Sequence, residues 1–164
     1  MLRSKYSMTK HINKLFYSWF GLGYSPFAAG TLGSLGAIPL CILINQTYAP
    51  WLKFFFILGF VSVAILSSAT EQKTGRKRDP GYIVVDEVAG MLISTAFAMS
   101  TLQYLIAFIL FRFFDITKPF PIYWLDRKSK NSKTAFLRGF YIVMDDVLAG
   151  IFSLLIYFIF IRFF

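Results

Sequence analysis

The chain has 164 residues, 57% of them hydrophobic, and its mean hydropathy of +0.61 exceeds what a soluble globular domain carries. The length fits one domain, 1–164, and the composition fits an all-α integral membrane protein with charged residues held to 15%. A formal charge of +9, from 17 Lys and Arg against eight acids, points to anionic lipid and to basic loops on the cytoplasmic side, and argues against a nucleic acid partner.

Residues 1–20 read as an interfacial amphipathic segment. Ile12, Leu15, Phe16, Trp19 and Phe20 recur at helical spacing, with Lys10 and Lys14 off that face. No apolar core followed by a small-residue cleavage site occurs here, so a signal peptide is not expected. His11 is the one histidine and reads as exposed or interfacial.

Residues 21–164 would form the membrane domain. It begins with "GLGYSPFAAGTLGSLGAIP" (21–39), which holds five of the eleven glycines. A Gly-rich turn ahead of Thr31 and Ser34 at a helix start can present backbone N–H groups to phosphate oxygens. It is no Walker loop, since Gly-Lys-Ser/Thr is absent. Cys41 lies in the apolar run "IPLCILI"; a single cysteine excludes an intrachain disulfide, and that setting argues against a thiolate nucleophile.

Apolar runs at 32–44, 51–69, 88–111 and 147–161 lack a strand's alternation and read as helices. The long third run is either one tilted span or a hairpin. Charge favours the hairpin: basic residues cluster at 3–14 (four), 73–78 (four) and 118–138 (six), and a single span would place the last cluster on the opposite side from the first two. A continuous helix from Asp86 to Asp115 would also be roughly 43 Å long, beyond a ~30 Å hydrocarbon core. The expectation is therefore about five helical segments, some short or hairpin-like and turning at "MSTLQ" (99–103), plus the N-terminal interfacial helix. The N-terminus would face the cytoplasm.

On this topology all eight acids, Glu71, Asp79, Asp86, Glu87, Asp115, Asp126, Asp145 and Asp146, gather at the cytoplasmic face. Two adjacent pairs stand out, in "IVVDEVAG" (83–90) and "IVMDDVLAG" (142–150). Asp86 and Asp145 could simply start helices, where the macrodipole favours an anion. One acid would serve for that, whereas two adjacent acids at each of two helices repel. Gly90 lies four residues after Asp86, and Gly150 four after Asp146, so each aspartate shares a face with a glycine that admits a neighbouring helix. Hard oxygen donors without usable Cys or His suit Mg²⁺ or Mn²⁺ rather than zinc.

The block "FRFFDITKPFPIYWLDR" (111–127) puts Asp115 at a helix end and Lys118 before Pro119, with Pro121 expected to keep the chain extended ahead of Asp126 and Arg127. Arg112, Lys118 and Arg127 beside carboxylates match what a phosphorylated substrate bound through a metal requires, although each also reads as an interfacial anchor.

Together, "SPFAAGTLGSLGAIP", "DPGYIVVDEVAGM", "FRFFDITKPFPIYWLDR" and "MDDVLAGI" resemble, in order, the motifs of phosphatidylglycerophosphatase A, a membrane phosphatase family. The resemblance covers most of residues 21–151. It implies a Mg²⁺-dependent hydrolase at the cytoplasmic face of a bacterial membrane, acting on phosphatidylglycerophosphate to give phosphatidylglycerol; no obligate protein partner is inferred. It puts Asp79, Asp86, Glu87, Asp115, Asp145 and Asp146 on the family's acidic positions and Arg112, Lys118 and Arg127 on its basic ones, with Glu71 as a further acidic position. Ala29 departs from the family pattern, where proline is expected.

The roles that follow are metal ligation by Asp79, Asp86, Glu87, Asp145 and Asp146, completion of the site by Asp115, and phosphate binding by Thr31, Ser34, Arg112, Lys118 and Arg127. Water or an aspartate remains open as nucleophile, and one or two ions as the metal complement. The alternatives are a CDP-alcohol-type phosphatidyltransferase, whose Asp-Gly…Ala-Arg…Gly…Asp…Asp spacing is absent, and a metal or ion transporter, whose acids would line a path through the membrane.

Overall fold

The computed structural model describes residues 2–47, 49–74 and 80–163, with side chains described for 9–47, 49–73 and 80–160. Among the described residues there are seven α-helices and no strand. They are α1 (Leu2–Tyr17), α2 (Ala29–Thr47), α3 (Pro50–Thr74), α4 (Val85–Ser94), α5 (Thr101–Thr117), α6 (Ile122–Asn131) and α7 (Ala135–Phe163), with a single 3₁₀ turn at Leu22–Tyr24. Ala29–Thr47, Pro50–Lys73 and Ala135–Phe160 are long and apolar enough to cross a membrane. Their outer faces carry bare apolar side chains, such as Phe54, Phe55 and Leu58 on α3 and Leu155 and Ile159 on α7. Such faces suit lipid rather than water.

The third apolar run is a hairpin. At 10 and 17 residues, α4 and α5 are roughly 15 and 25 Å long, too short to span singly. The turn falls at 95–100, a little before the expected 99–103, because Ser100 and Gln103 form a capping box that starts α5 at Thr101. Ser94 of α4 and Ser153 of α7 both donate to the carbonyl of Ala107 in α5, at 3.0 and 3.2 Å, tying the hairpin to the last helix inside the apolar interior.

Three local expectations are corrected. Helix α1 stops at Tyr17, so Trp19 and Phe20 leave the helical face in left-handed conformations; Trp19 turns inward, its indole N–H donating to Gly36 O at 2.9 Å, while Ile12 and Leu15 stay exposed. The chain after Pro121 is not extended but forms α6, since proline at a helix start lacks only an N–H that would have no helical acceptor, and Ile122 and Leu125 bury one face. Helix α7 begins at Ala135, well before the apolar run, which places Asp145 and Asp146 inside the helix. Helix-start stabilisation therefore cannot account for that pair, whereas Asp86 and Glu87 do occupy the first turn of α4.

Helix α7 is the central post, packed against α3, α4, α5 and α6, and α4 is buried between α7, α2 and α3. The α4–α7 contact is backbone to backbone. A Cβ on Gly150 would lie 2.5 Å from Gly90 O, and one on Gly90 would lie 2.7 Å from Asp146 O. Val84, Val88, Met91, Phe111, Ile122 and Ala149 form the apolar core around this crossing.

Candidate active site

The first turn of α4, the end of α5 and the middle of α7 converge at one end of the bundle. They enclose a cleft of about 170 Å³ shared by Asp86, Glu87, Asp115, Lys118, Asp145 and Asp146. Each acidic pair is braced alike: Asp86 Oδ1 accepts from Glu87 N, and Asp145 Oδ1 accepts from Asp146 N, both at 3.1 Å. Both pairs line the cleft.

Two cations serve this wall of five carboxylates. Arg112 pairs with Asp115 one turn along α5. Lys118 caps α5 with a left-handed backbone (φ 42°), and that turn brings its ammonium to 2.6 Å from Asp145 Oδ2 and 3.0 Å from Asp126 Oδ1. Burial disfavours the Lys118 charge, but Asp145, Asp146 and Asp126 outweigh it and hold its pKa above the ordinary lysine value. Asp126, which also meets Lys130 at 2.7 Å, has its pKa held below the usual carboxylate range: burial opposes this, and hydrogen bonds from Lys130 and Lys118 prevail.

Carboxylate oxygens of Asp86, Glu87 and Asp146 lie within 4.8 Å of one another. Glu87 Oε2 is buried and has no hydrogen-bond partner among the described residues. An orphaned buried carboxylate oxygen among like charges calls for a positive counterpart. All the donors are hard oxygens, so the residues fit a divalent cation of the Mg²⁺ type.

The remaining expected site residues fall elsewhere. Gly30, at the start of α2, abuts this group: a Cβ there would collide with Glu87 Oε1 and lie 3.3 Å from Arg112 Nη1. The Gly-rich stretch thus seats Glu87 closely. Thr31 is half-buried in the first turn of α2 and does not line the cleft, and Ser34 Oγ is committed to Gly30 O at 2.8 Å within its own helix. Arg127 is exposed and lines a separate surface groove with Trp124 and Lys128. Glu71 accepts a 2.8 Å hydrogen bond from Tyr82 OH, so it acts on the loop entering α4 rather than on the cleft. Asp79 lies outside the described residues.

Two contributors were not foreseen. Ser129 of α6 lines the cleft and donates to Asp126 O at 2.7 Å, and Asp126 shares Lys118 with Asp145. The signal for Asp126 was its place in the same basic block as Lys118. Ser129 becomes visible only once α6 is known to be helical.

Fold and cleft define an all-helical integral membrane protein with a carboxylate-lined site. The chain belongs to the phosphatidylglycerophosphatase A family, whose model matches residues 15–161, and it is a phosphatase of a bacterial membrane. It is 38% identical over 145 residues to phosphatidylglycerophosphatase A of Escherichia coli K12, covering 85% of this chain and 78% of that one. It is 41% identical over 143 residues to phosphatidylglycerophosphatase A of Haemophilus influenzae Rd, covering 85% and 82%. A Bacteroides thetaiotaomicron protein named "Putative phosphatidylinositol-3-phosphatase" is 35% identical over 145 residues, covering 84% and 86%. No solved structure matches the chain.

Proposed function

We propose that the chain hydrolyses the terminal phosphate monoester of phosphatidylglycerophosphate, giving phosphatidylglycerol and phosphate, at the cytoplasmic face of the membrane. The observation that carries this reading is the cluster of Asp86, Glu87 and Asp146 oxygens within 4.8 Å of one another, beside the Lys118 ammonium, at the end of a membrane bundle. The relatives named for the same activity supply the substrate. The cytoplasmic assignment rests on the clustering in sequence of basic residues at 73–78, from the end of α3 towards α4, and at 118–138, between α5 and the acids of α7.

Mg²⁺ held by Asp86, Glu87 and Asp146 would supply charge neutralisation for the phosphoryl oxygens and acidify a bound water. Lys118 gives two of its three N–H groups to Asp126 and Asp145, leaving the third for a phosphoryl oxygen. Arg112 holds Asp115 at the cleft wall. Water attacks phosphorus, the bond from phosphorus to the glycerol oxygen breaks, and a cleft carboxylate takes the proton from water that the departing glycerol oxygen then requires. Exposed Phe113, Ile116 and Phe120 around the end of α5 offer an apolar approach for a lipid's tails while its headgroup enters the cleft.

The test is phosphate release by the detergent-purified protein from phosphatidylglycerophosphate, phosphatidic acid, lysophosphatidic acid and phosphatidylinositol 3-phosphate, with and without Mg²⁺, in wild type, Asp86→Asn and Asp146→Asn. Mg²⁺-dependent release from the first lipid, lost in both variants, is expected. Preferential release from phosphatidylinositol 3-phosphate would move the substrate to the one in the Bacteroides relative's name, and release surviving both substitutions would overturn the site.

A further inference from the structure

The end of the bundle opposite the cleft carries a second polar constellation. On α3, Glu71 holds the cleft-entry loop through Tyr82, while Lys53 sits in the first turn, eighteen residues and roughly 27 Å away. Lys53 is only 7% exposed. Its Nζ is 3.5 Å from Asn45 Oδ1, and no carboxylate pairs with it among the described residues. The Asn45 amide is held in place, since the two N–H groups of its Nδ2 are shared among Thr95 O (2.6 Å), Tyr104 OH (3.0 Å) and Ala98 O (3.2 Å). Only Oδ1 is left for the lysine. One long contact to a neutral acceptor does not offset the desolvation of an ammonium group.

The same lysine lines an apolar groove of about 520 Å³ between α3, the α4–α5 turn and α7, with Ile57, Ile93, Phe97, Val147 and Leu154 among its walls. That volume lies within the range of small-molecule sites. An apolar trough with one buried cation in its wall is complementary to an amphiphile with an anionic head. A second copy of the chain fits poorly, because the groove's own lining has no acid to set over Lys53 in a symmetric pairing.

We propose that this groove holds an acyl chain of an anionic phospholipid from the leaflet opposite the cleft, with the lipid phosphate neutralising Lys53. The site is separate from the hydrolytic one, and its occupant is a bound lipid, not a substrate.

The test uses the delipidated full-length protein in detergent without Mg²⁺, with phosphatidylserine and phosphatidylcholine as probes. Phosphatidylserine is anionic but has no terminal phosphate for the cleft. Native mass spectrometry is expected to show one retained phosphatidylserine at a concentration at least about tenfold below that needed for phosphatidylcholine. The thermal midpoint should rise by roughly 3–5 °C with phosphatidylserine. Lys53→Met should abolish the preference, Lys53→Arg should keep it, and Lys128→Met, at the cleft end, should leave it unchanged. Ala96→Phe, which fills the groove and leaves Lys53 in place, should lose the adduct, and it decides the matter if Lys53→Met does not fold. Equal binding of the two lipids, preference surviving Lys53→Met, an adduct surviving Ala96→Phe, or a dimer in place of the lipid would each overturn the proposal.

Discussion

Gly150 stands against the carbonyl oxygen of Gly90, so close that a Cβ on the first would lie 2.5 Å from the second. Each glycine is one turn beyond an acid of the cleft, and this contact therefore sets the spacing between the α4 carboxylates and the α7 carboxylates. Gly150→Ala should force the helices apart, costing about 1–3 kcal/mol of stability. Hydrolysis should fall by more than the loss of folded protein explains. Thermal midpoint and specific activity measured on the same folded fraction separate the two effects.

Lys118 joins α5, α6 and α7 through Asp126 and Asp145. Lys118→Met should lower kcat by about 10²-fold or more, the scale of losing one donor to a developing phosphoryl charge. Lys118→Arg should recover part of it. A loss confined to KM would show that the lysine contributes to substrate binding alone.

Removal of divalent ions by a chelator should abolish activity, and Mn²⁺ should restore it alongside Mg²⁺, because the donors are all carboxylate oxygens. Glu87→Gln should raise the Mg²⁺ concentration for half-maximal activity by at least about tenfold. Full activity in chelator would remove the metal from the mechanism.

Asp126 is held below the usual carboxylate range in the folded protein, although burial opposes this, by Lys130 and Lys118. A depressed folded pKa contributes stability that is complete above the unfolded value, about 3.9, and is lost as the pH falls through the folded one. The stability gap between wild type and Asp126→Asn should thus be constant from about pH 5 to 7 and shrink below about pH 4. Thermal unfolding across that range checks it; a gap that widens in acid would contradict the assignment.

Arg127 provides a contrast. The sequence groups it with Lys118 as a phosphate ligand, but it lies on the exposed side of α6 beside Trp124. Arg127→Ala should change phosphate release by no more than roughly fivefold, the scale of an exposed charge. A loss comparable to Lys118→Met would mean that α6 turns its basic face to the substrate.

What the sequence displays and hides follows from the range of the forces involved. The hairpin is legible because the positive-inside bias counts charges loop by loop, and the acidic pairs because carboxylates are costly beside apolar runs. The Gly90 and Gly150 contact is legible because glycine four residues from an acid shares its face. Helix α6 is hidden behind Pro119 and Pro121, which read as extended chain until Ile122 and Leu125 find a core to bury in. Ser34 looks like a phosphate ligand, yet its hydroxyl is taken by the carbonyl one turn back, a competition that spacing alone does not reveal. The Asn45 and Lys53 constellation joins α2, α3 and the α4–α5 turn, so no window of sequence contains it.

Helix α7 runs unbroken for 29 residues, with Asp145 and Asp146 near one third of its length and apolar side chains such as Ile159 beyond. It is a rigid lever with its short arm in the cleft. A bilayer thinner or thicker than the bundle would tilt the long arm, and would move these two aspartates relative to Asp86 and Glu87 unless the Gly90–Gly150 contact holds them. Hydrolysis in bilayers of graded acyl length should peak at one thickness, and a flat profile would show that the short arm is held fixed by its neighbours.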